Sequence, residues 1–389
     1  MKVSLLTGGG DRPYALGLLS SLLSKDIDVD FIGSDELFDQ SIMRHPRIVF
    51  YNLRGNQSPN VTFFNKLARV LKYYMKLIVY AYKTDSCLFH IIWLNKFIYF
   101  DRTILNIYFK MLGKKIVYTA HNIDQKERDW KSSAFNKFTL RFMYNIMNHI
   151  FVHTYKMKQQ LVNQFHVKED NITVIPFGIN NTVPLTNITK SQAKEKLGLF
   201  TAEKIILFFG NIAPYKGLEY LVMAMPILLN RIGQIKLIVA GRIKDCESYW
   251  RQIQSLIEKL NLGNSIIQKT VFIPDADVEL YYKSADAVIL PYIHIFQSGV
   301  LSLSYNFGVP VIATDVGSLK EDIVEGKTGF VCQSKNPKDL AEKIVKYYDS
   351  DLYNNLENNR YNIINFAKDK YSWEKVSRNT VSVYEKITQ

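Results

Sequence analysis

Apolar, β-branched segments alternate with helical segments along this chain, and no other feature of the sequence constrains the fold as strongly. The first series begins with a predicted strand at residues 2–7, a glycine loop, a predicted helix at residues 14–23 and a second strand at residues 29–33. A strand–helix–strand unit predicts a parallel sheet with helices on both faces. Further strands are predicted in this half at residues 48–53, 88–93, 115–119, 149–153 and 172–175.

A second strand–helix series starts near Lys204, with predicted strands at residues 205–210, 235–240, 271–273, 287–290 and 309–314. The length of 389 residues fits two domains, since one domain takes roughly 100–200 residues. We therefore predict a first domain at residues 1–180, a hinge at 181–189 and a second domain at 190–370. Residues 371–389 are predicted to form a closing helix, capped by Ser372.

The cysteines are few and widely spaced: Cys87, Cys246 and Cys332. An odd number of distant cysteines indicates a reducing compartment rather than a disulfide framework. The short apolar run at the start of the chain ends at three glycines, so we expect no signal peptide. No stretch reaches the roughly 20 apolar residues of a membrane span. These features predict a cytoplasmic protein.

The net charge of +13 is unevenly distributed, since residues 41–84 and 131–158 contain basic but no acidic side chains. Residues 63–83 fit a helix with two different sides. One side carries Lys66, Arg69, Lys72, Lys76 and Lys83 together with Tyr73 and Tyr80, and the other carries Phe64, Leu67, Val70, Leu71, Met75 and Ile78. We expect the apolar side to face the domain core.

The basic, tyrosine-bearing side of this helix suits an anionic membrane surface. The alternative is an ordinary basic face exposed to water. Nucleic acid would also suit the charge, but the sequence shows no recognised nucleic-acid-binding module, so no nucleic-acid partner is predicted.

The segment at residues 296–317 combines a short polar turn, a helix and a buried strand. Gln297, Ser298 and Gly299 open the helix, which ends near Gly308 before the β-branched run at 309–314. Unpaired peptide N–H groups at the start of a helix carry an effective charge of roughly +0.5. Such a helix start is a natural binding site for a phosphate.

This segment resembles the donor-binding segment of the GT-B glycosyltransferases of family 4, which are retaining enzymes that use sugar nucleotides. The resemblance covers nearly the whole chain, and residues 174–180 are similar to the family's passage between domains. It implies an α/β fold with two Rossmann-like domains, a cleft between them and a C-terminal helix that crosses back to the first domain. It also implies that the first domain serves the acceptor and the second binds the nucleotide sugar.

Residues 209–218 resemble the family's loop in which a lysine binds the donor diphosphate, and Lys216 takes that place. A cation at the carboxyl end of a strand neutralises a diphosphate. The family often has an arginine earlier in this loop, where this chain has Asn211 and Ala213. One phosphate contact is therefore missing or supplied elsewhere. We assign Asn211 to the donor site, and Lys216 to both the donor site and catalysis.

Residues 272–278 resemble the loop that cups the nucleotide base, so Pro274 and Asp275 are assigned to the donor site. An alternative is that Asp275 or Asp277 simply caps a helix. Tyr292, which leads into the segment at 296–317, is also assigned to the donor site.

Many family members have two glutamates, eight residues apart, in the donor segment. The corresponding residues here are Ile295 and Leu303, so the roles of those glutamates are open. The available substitutes are Gln297, Ser298 and the peptide groups of Gly299 and Val300. The order Gln-Ser-Gly-Val resembles one branch of the family, which indicates a variant site rather than a lost one.

Gly8, Gly9 and Gly10 follow the first strand and take the place of the glycine-rich loop that the family sets against the donor phosphates. Glycine permits a close approach because it lacks a Cβ. Asp11 and Arg12 come next and are assigned to the acceptor side. They could equally be surface charges.

His121 and Asn122 follow a predicted strand and match the family's His-Asn site, where the histidine lies near the sugar. A neutral imidazole donates one hydrogen bond and accepts another. We assign His121 to catalysis and Asn122 to the acceptor side, the alternative for His121 being a structural role. The histidines show no metal-ligand spacing, so neither a metal nor any cofactor besides the donor is predicted.

Together these assignments predict a retaining glycosyltransferase at the inner face of the plasma membrane. It would transfer a sugar from a nucleotide diphosphate to a lipid-linked glycan in bacterial surface-polysaccharide assembly. Two alternatives stay open: a GT-B sugar-nucleotide epimerase, and a non-catalytic GT-B partner subunit, which the absent glutamates motivate.

Overall fold

The computed structural model describes residues 1–9, 11–58, 62–124, 133–179, 183–243 and 246–389. The chain forms two compact units, each with one parallel sheet. Unit 1 comprises Met1–Gly178 and Ser372–Gln389, and unit 2 comprises Ile179–Tyr371. The predicted α/β fold with two Rossmann-like domains is confirmed.

Unit 1 contains seven parallel strands in the order β3-β2-β1-β4-β5-β6-β7. They are β1 (Lys2–Leu6), β2 (Asp28–Gly33), β3 (Ile48–Asn52), β4 (Leu88–Ile91), β5 (Lys115–Ala120), β6 (His149–Val152) and β7 (Ile172–Val174). The helices are α1 (Arg12–Leu23), α2 (Gln40–Met43), α3 (Phe63–Lys83), α4 (Ile98–Phe100), α5 (Asn106–Met111), α6 (Ala134–Ile146) and α7 (Tyr155–Phe165). The strand order reverses between β1 and β4, which places the loops after these strands side by side.

Unit 2 contains six parallel strands in the order β10-β9-β8-β11-β12-β13. They are β8 (Lys204–Phe209), β9 (Ile235–Ala240), β10 (Ile266–Lys269), β11 (Ala287–Leu290), β12 (Val311–Thr314) and β13 (Gly329–Cys332). The helices are α8 (Lys190–Lys196), α9 (Leu218–Ile232), α10 (Glu247–Lys259), α11 (Asp275–Ser284), α12 (Gly299–Asn306), α13 (Leu319–Asp322), α14 (Pro337–Tyr348), α15 (Asp351–Asn354) and α16 (Leu356–Tyr371). The predicted strand at 271–273 is wrong, because Val271 and Phe272 are exposed in the loop after β10.

The last helix, α17 (Trp373–Thr388), packs on unit 1. Its predicted cap is present, since the Ser372 hydroxyl accepts a hydrogen bond from the Lys375 N–H at 3.3 Å. Val376, Val383 and Tyr384 join the buried core of unit 1. The final helix thus completes the first domain, although it is last in sequence.

The predicted hinge at 181–189 falls partly outside the described residues, which resume at Val183. From there the chain belongs to unit 2. Thr186 binds the Glu279 carboxylate of α11 through its N–H at 2.8 Å and its hydroxyl at 2.7 Å. Two hydrogen bonds to a buried carboxylate fix this stretch on unit 2.

Helix α3 does not bury the side that was predicted to face the core, while the predicted surface lysines Lys66, Lys72, Lys76 and Lys83 are exposed as expected. Its buried residues are Tyr73, Tyr74, Leu77, Tyr80 and Ala81. The side predicted to be core is exposed: Phe64 (80%), Leu67 (38%), Leu71 (49%), Met75 (62%) and Ile78 (37%), with Val70 partly exposed. This expectation is therefore wrong.

Two buried carboxylates explain the orientation of α3. The Tyr80 hydroxyl donates to Asp30 at 2.7 Å, and the Tyr74 hydroxyl donates to Asp101 at 2.7 Å. Buried carboxylates require hydrogen-bond donors, and this requirement outweighs the burial of the more apolar side. One predicted surface cation is also engaged, because Arg69 donates to the carbonyl of Asn56 at 2.6 Å.

Candidate functional site

Most predicted donor residues of unit 2 share one edge of its sheet. The loop after β8 carries Gly210, Asn211 and Lys216, and the loop after β11 leads from Tyr292 to the start of α12. These strands are neighbours in the sheet, so their carboxyl ends lie together. Ligands of open α/β sheets bind at this edge, where the strand order reverses.

Lys216 ends a short 3₁₀ turn and is only 5% exposed. Its Nζ lies 3.4 Å from the carbonyl oxygen of Phe209 and 5.3 Å from the ring centroid of Tyr292. A Cβ on Gly210 would stand 3.0 Å from this Nζ and 3.5 Å from Cγ2 of Val300. Gly210 is therefore close both to the ammonium group and to Val300 in the first turn of α12. The low solvent exposure of this ammonium group strengthens its attraction for a diphosphate.

The start of α12 offers unpaired donors beside this ammonium group. Ser298 is the N-cap residue, and its side chain forms no capping hydrogen bond. No group of the described residues accepts a hydrogen bond from the peptide N–H groups of Gly299 and Val300. The Gln297 Oε1 is buried and likewise lacks a partner in the described part of the chain. Free N–H groups at a helix start meet the requirements of an anion site.

The residues in place of the family glutamates are apolar and packed. Leu303 is buried within α12, and the carbonyl oxygen of Ile295 is so close to Gly317 that a Cβ there would overlap it. Neither side chain can form a hydrogen bond to a ribose. Any ribose contact from this segment must therefore come from neighbouring polar groups such as Gln297 and Ser298.

Pro274 and Asp275 are exposed at the start of α11. Pro274 is the N-cap residue, and neither Asp275 nor Asp277 forms a side-chain cap, so the capping alternative is wrong. These residues follow β10, at the end of the sheet. The contacts that gather Lys216, Gly210 and the first turn of α12 do not include them.

The glycine loop of unit 1 is held by close packing. Gly8 and Gly9 have φ angles of +54° and +83°, a region that favours glycine. A Cβ on Gly8 would overlap the carbonyl group of Trp93, and a Cβ on Gly9 would overlap the guanidinium group of Arg54. Glycine is thus required here within unit 1 itself. Gly10 lies outside the described residues.

His121 follows β5 and is 4% exposed. Its ring stacks on Trp93 at 4.2 Å between centroids, and its Nδ1 lies 3.2 Å from Nε2 of His153. Burial, and then the neighbouring His153 and His90, hold the pKa of His121 well below its ordinary value. The imidazole is therefore neutral at pH 7. Its Nε2 has no hydrogen-bond partner in the described part of the chain and can serve a sugar hydroxyl.

Asp11 and Arg12 have structural partners in unit 1. The Asp11 carboxylate caps α1 by accepting from the Tyr14 N–H at 3.4 Å. Arg12 donates to the Glu36 carbonyl at 3.0 Å and pairs with Asp39 at 3.4 Å. Asn122, beside His121, is partly exposed. Their assignment to the acceptor side stays a prediction.

Sequence reasoning missed four residues at these edges. Trp93, Arg54 and His153 follow β4, β3 and β6 in unit 1, and Arg242 follows β9 in unit 2. The signal of Trp93, His153 and Arg242 is positional, since each comes just after a strand whose neighbour leads into a predicted site loop, whereas Arg54 follows the edge strand β3. Reading polar and aromatic residues after every strand would have found them.

Two family models match the chain. Glycosyltransferase Family 4 matches residues 8–182, and Glycosyl transferases group 1 matches residues 189–366. Between them they cover most of the sequence. The chain belongs to the GT-B glycosyltransferases of family 4.

A curated relative, an uncharacterized glycosyltransferase of Methanocaldococcus jannaschii, is 30% identical over 237 residues. The match covers 59% of this chain and 57% of the relative, so the chain spans little more than half the length of that protein.

Solved structures share the fold at low identity. Sucrose-phosphate synthase of Thermosynechococcus elongatus has a TM-score of 0.77 at 18% identity, covering 100% of this chain and 99% of its own. HepE of Anabaena, solved in complex with UDP, has a TM-score of 0.75 at 16% identity, covering 99% and 100%. At this identity the likeness shows the fold.

Proposed function

We propose that the protein transfers a sugar from a nucleoside-diphosphate sugar to an acceptor, with retention of configuration. The observation that carries this proposal is the meeting of the Lys216 ammonium group, Gly210 and the first turn of α12 at the carboxyl edge of the unit 2 sheet. A buried cation beside free peptide N–H groups suits a diphosphate better than a neutral ligand. Membership of family 4 supports the same reaction.

In the proposed reaction, an acceptor hydroxyl oxygen bonds to the anomeric carbon as the bond from that carbon to the diphosphate oxygen breaks. Attack occurs on the face that the diphosphate leaves, and the hydroxyl proton passes to the departing diphosphate. Negative charge grows on that group, so Lys216 and the N–H groups of Gly299 and Val300 stabilise the transition state. Neutral His121 hydrogen-bonds a sugar hydroxyl. The proposal needs no metal ion, because these groups supply the positive charge.

Donor hydrolysis tests this proposal without knowledge of the acceptor. UDP-, GDP- and ADP-sugars are screened for nucleotide release, and Lys216→Ala is compared with Lys259→Ala. Lys259 is an exposed lysine at the end of α10. Loss of a charged hydrogen bond of about 1.5–3 kcal/mol should slow Lys216→Ala by about 10- to 150-fold.

Equal rates for the two folded lysine variants would contradict the role of Lys216. Calorimetry that finds no nucleoside diphosphate bound to the wild type would favour the non-catalytic partner subunit. Conversion of the sugar nucleotide to its epimer without acceptor, seen by NMR, would favour the epimerase.

We further propose that the acceptor is a lipid-linked glycan, reached from an anionic membrane at the inner face of the plasma membrane. Support comes from the exposed side of α3, which we call the apolar ridge: Phe63, Phe64, Leu67, Leu71, Met75 and Ile78. Lys66, Lys72, Lys76 and Lys83 on the same helix are also exposed. Exposed apolar groups flanked by lysines suit an anionic bilayer. We place this transfer in bacterial surface-polysaccharide assembly.

The surface around the apolar ridge extends this support. The Tyr108 hydroxyl of α5 donates to the Ile78 carbonyl of α3 at 3.1 Å, and α5 adds the exposed Ile107 and Met111. A groove of about 590 Å³ also runs beside α3, lined by Tyr51, Leu53, Met75, Lys76, Val79, Tyr80, Lys83 and Thr84. No described helix is long and apolar enough to cross a bilayer. Exposed apolar groups beside lysines suit contact along a membrane surface.

Cosedimentation with liposomes tests the membrane proposal. Phe64→Glu/Met75→Glu should release the protein from phosphatidylglycerol-containing vesicles at low and high salt, because apolar contact is lost. Lys72→Glu/Lys76→Glu should release it from the same vesicles at low salt, where charge attraction is strong. Lys196→Glu/Lys259→Glu, on exposed lysines of unit 2, is the matched control. Binding of all three variants equal to that of the wild type would contradict the proposal.

A further inference from the structure

Arg242 stands beside the loop that carries the predicted donor lysine. It follows β9, the neighbour of β8 in the sheet of unit 2. Its carbonyl oxygen accepts the Ile212 N–H at 2.9 Å, and a Cβ on Gly241 would overlap the carbonyl oxygen of Gly210. The two loops are therefore in direct backbone contact at the carboxyl edge.

The side chain of Arg242 is fixed by the residue that replaces the family arginine. Its Nε donates to Oδ1 of Asn211 at 3.2 Å. Asn211 is adjacent to Gly210, where an added Cβ would stand 3.0 Å from the Lys216 Nζ. The Lys216 ammonium group lies beside Gly210 and the Arg242 guanidinium group beside Asn211. Because consecutive α-carbons are about 3.8 Å apart, we expect both cations to reach one diphosphate.

In the part of the chain that the structure describes, no group accepts a hydrogen bond from the terminal nitrogens of Arg242. Arg242 is exposed, and among the described residues no carboxylate forms an ion pair with it. With Nε on Asn211, both terminal nitrogens keep their N–H groups, which form the fork that binds phosphate oxygens. The arginine that the loop after β8 lacks is thus matched by an arginine from the next loop.

We propose that Arg242 is the second cation of the donor diphosphate site, with Asn211 as the residue that positions it. This inference rests on the proposed function, since it assumes a nucleoside-diphosphate donor. It assigns the missing phosphate contact to a residue outside the loop that normally supplies it, and it gives Asn211 a role through Arg242 rather than through the donor.

Isothermal titration calorimetry on the full chain tests the assignment. UDP, GDP and ADP are each titrated, together with uridine, guanosine and adenosine, into the wild type, Arg242→Gln and Arg251→Gln. Arg251 is an exposed arginine of α10 and loses the same charge. Arg242→Gln should lower the affinity for the diphosphate that binds the wild type by about tenfold or more. The affinity of Arg242→Gln for the matching nucleoside should equal that of the wild type. Arg251→Gln should bind both the diphosphate and the nucleoside with wild-type affinity.

The variant Asn211→Ala tests the positioning role. It should weaken binding of the same diphosphate less than Arg242→Gln does. The double variant should bind this diphosphate with the same affinity as Arg242→Gln alone, because Asn211 acts through the arginine. Additive losses would overturn the positioning role.

Failure of this inference is distinguishable from failure of the proposed function. If the wild type binds a diphosphate and Arg242→Gln binds it equally well, the assignment of Arg242 is wrong while the function stands. If Arg242→Gln loses nucleoside and diphosphate alike, Arg242 does not act on the phosphates. If no diphosphate binds the wild type, the proposed function itself fails.

Discussion

Replacing Tyr80 with phenylalanine removes one hydroxyl from the interior of unit 1. This hydroxyl donates to Oδ2 of Asp30 at 2.7 Å and lies 2.7 Å from the Ser4 hydroxyl. Asp30 is fully buried, and its other partners are Thr84 at 3.1 Å and Lys2 at 3.4 Å. Loss of a hydrogen bond to a buried charge costs about 1.5–3 kcal/mol. At roughly 2–4 °C per kcal/mol for a domain of this size, the Tm of unit 1 should fall by about 3–12 °C.

Differential scanning calorimetry measures this change. Tyr82→Phe is the matched control, because Tyr82 is on the same helix and is 74% exposed. Its Tm should equal that of the wild type. An unchanged Tm for Tyr80→Phe, or an equal fall for Tyr82→Phe, would refute the burial of the tyrosine side of α3. The apolar ridge would then lose its structural basis.

Two further predictions concern unit 1. Burial lowers the pKa of His90 from 6.5 to about 3, so the unfolded chain binds a proton more readily than the folded one. The stability from neutral His90 is complete above pH 6.5 and is lost as the pH falls toward 3. In urea unfolding across this pH range, the free energy of unfolding should fall less for His90→Gln than for the wild type. An equal fall for the two proteins would contradict this prediction. Gly178→Ala would push a Cβ into the Trp373 indole and should cost about 1–3 kcal/mol in the same measurement, while Gly263→Ala, which meets no atom within 4 Å, should cost little. Equal losses for both alanines would contradict the packing of α17.

The strand–helix rhythm predicted all seven strands of unit 1 and four of the six strands of unit 2, but it missed β10 and β13. Parallel strands buried on both faces are continuous apolar runs, which are easy to recognise between turns. The run at 271–273 failed because two exposed apolar side chains, Val271 and Phe272, imitate a strand. A run of three residues cannot be told from an apolar loop by composition alone.

The orientation of α3 could not be predicted from its own residues. Apolar periodicity predicted the wrong buried side, because that choice depends on Asp30 and Asp101, which come from distant parts of the sequence. The hydrogen-bond partners of a buried carboxylate are set by the tertiary structure. The helix therefore buries tyrosines and exposes its more apolar side.

The loops of unit 2 that we assign to the donor could be selected from the sequence because local motifs mark them. Gly210 and Lys216 lie close in sequence, and so do Ser298 and Gly299. Arg242 has no such motif, and only the adjacency of β8 and β9 brings it to Asn211. Contacts between neighbouring loops depend on strand order, which a single sequence does not state.

The central claim is that unit 2 binds a nucleoside diphosphate with a buried ammonium group and the start of a helix. A crystal structure of the full chain with the diphosphate that binds best in calorimetry tests it most directly. We expect phosphate oxygens within about 3.2 Å of the Lys216 Nζ and of the N–H groups of Gly299 or Val300. Phosphates bound elsewhere on the chain, with Lys216 still turned to Phe209 and the start of α12 unoccupied, would contradict the claim.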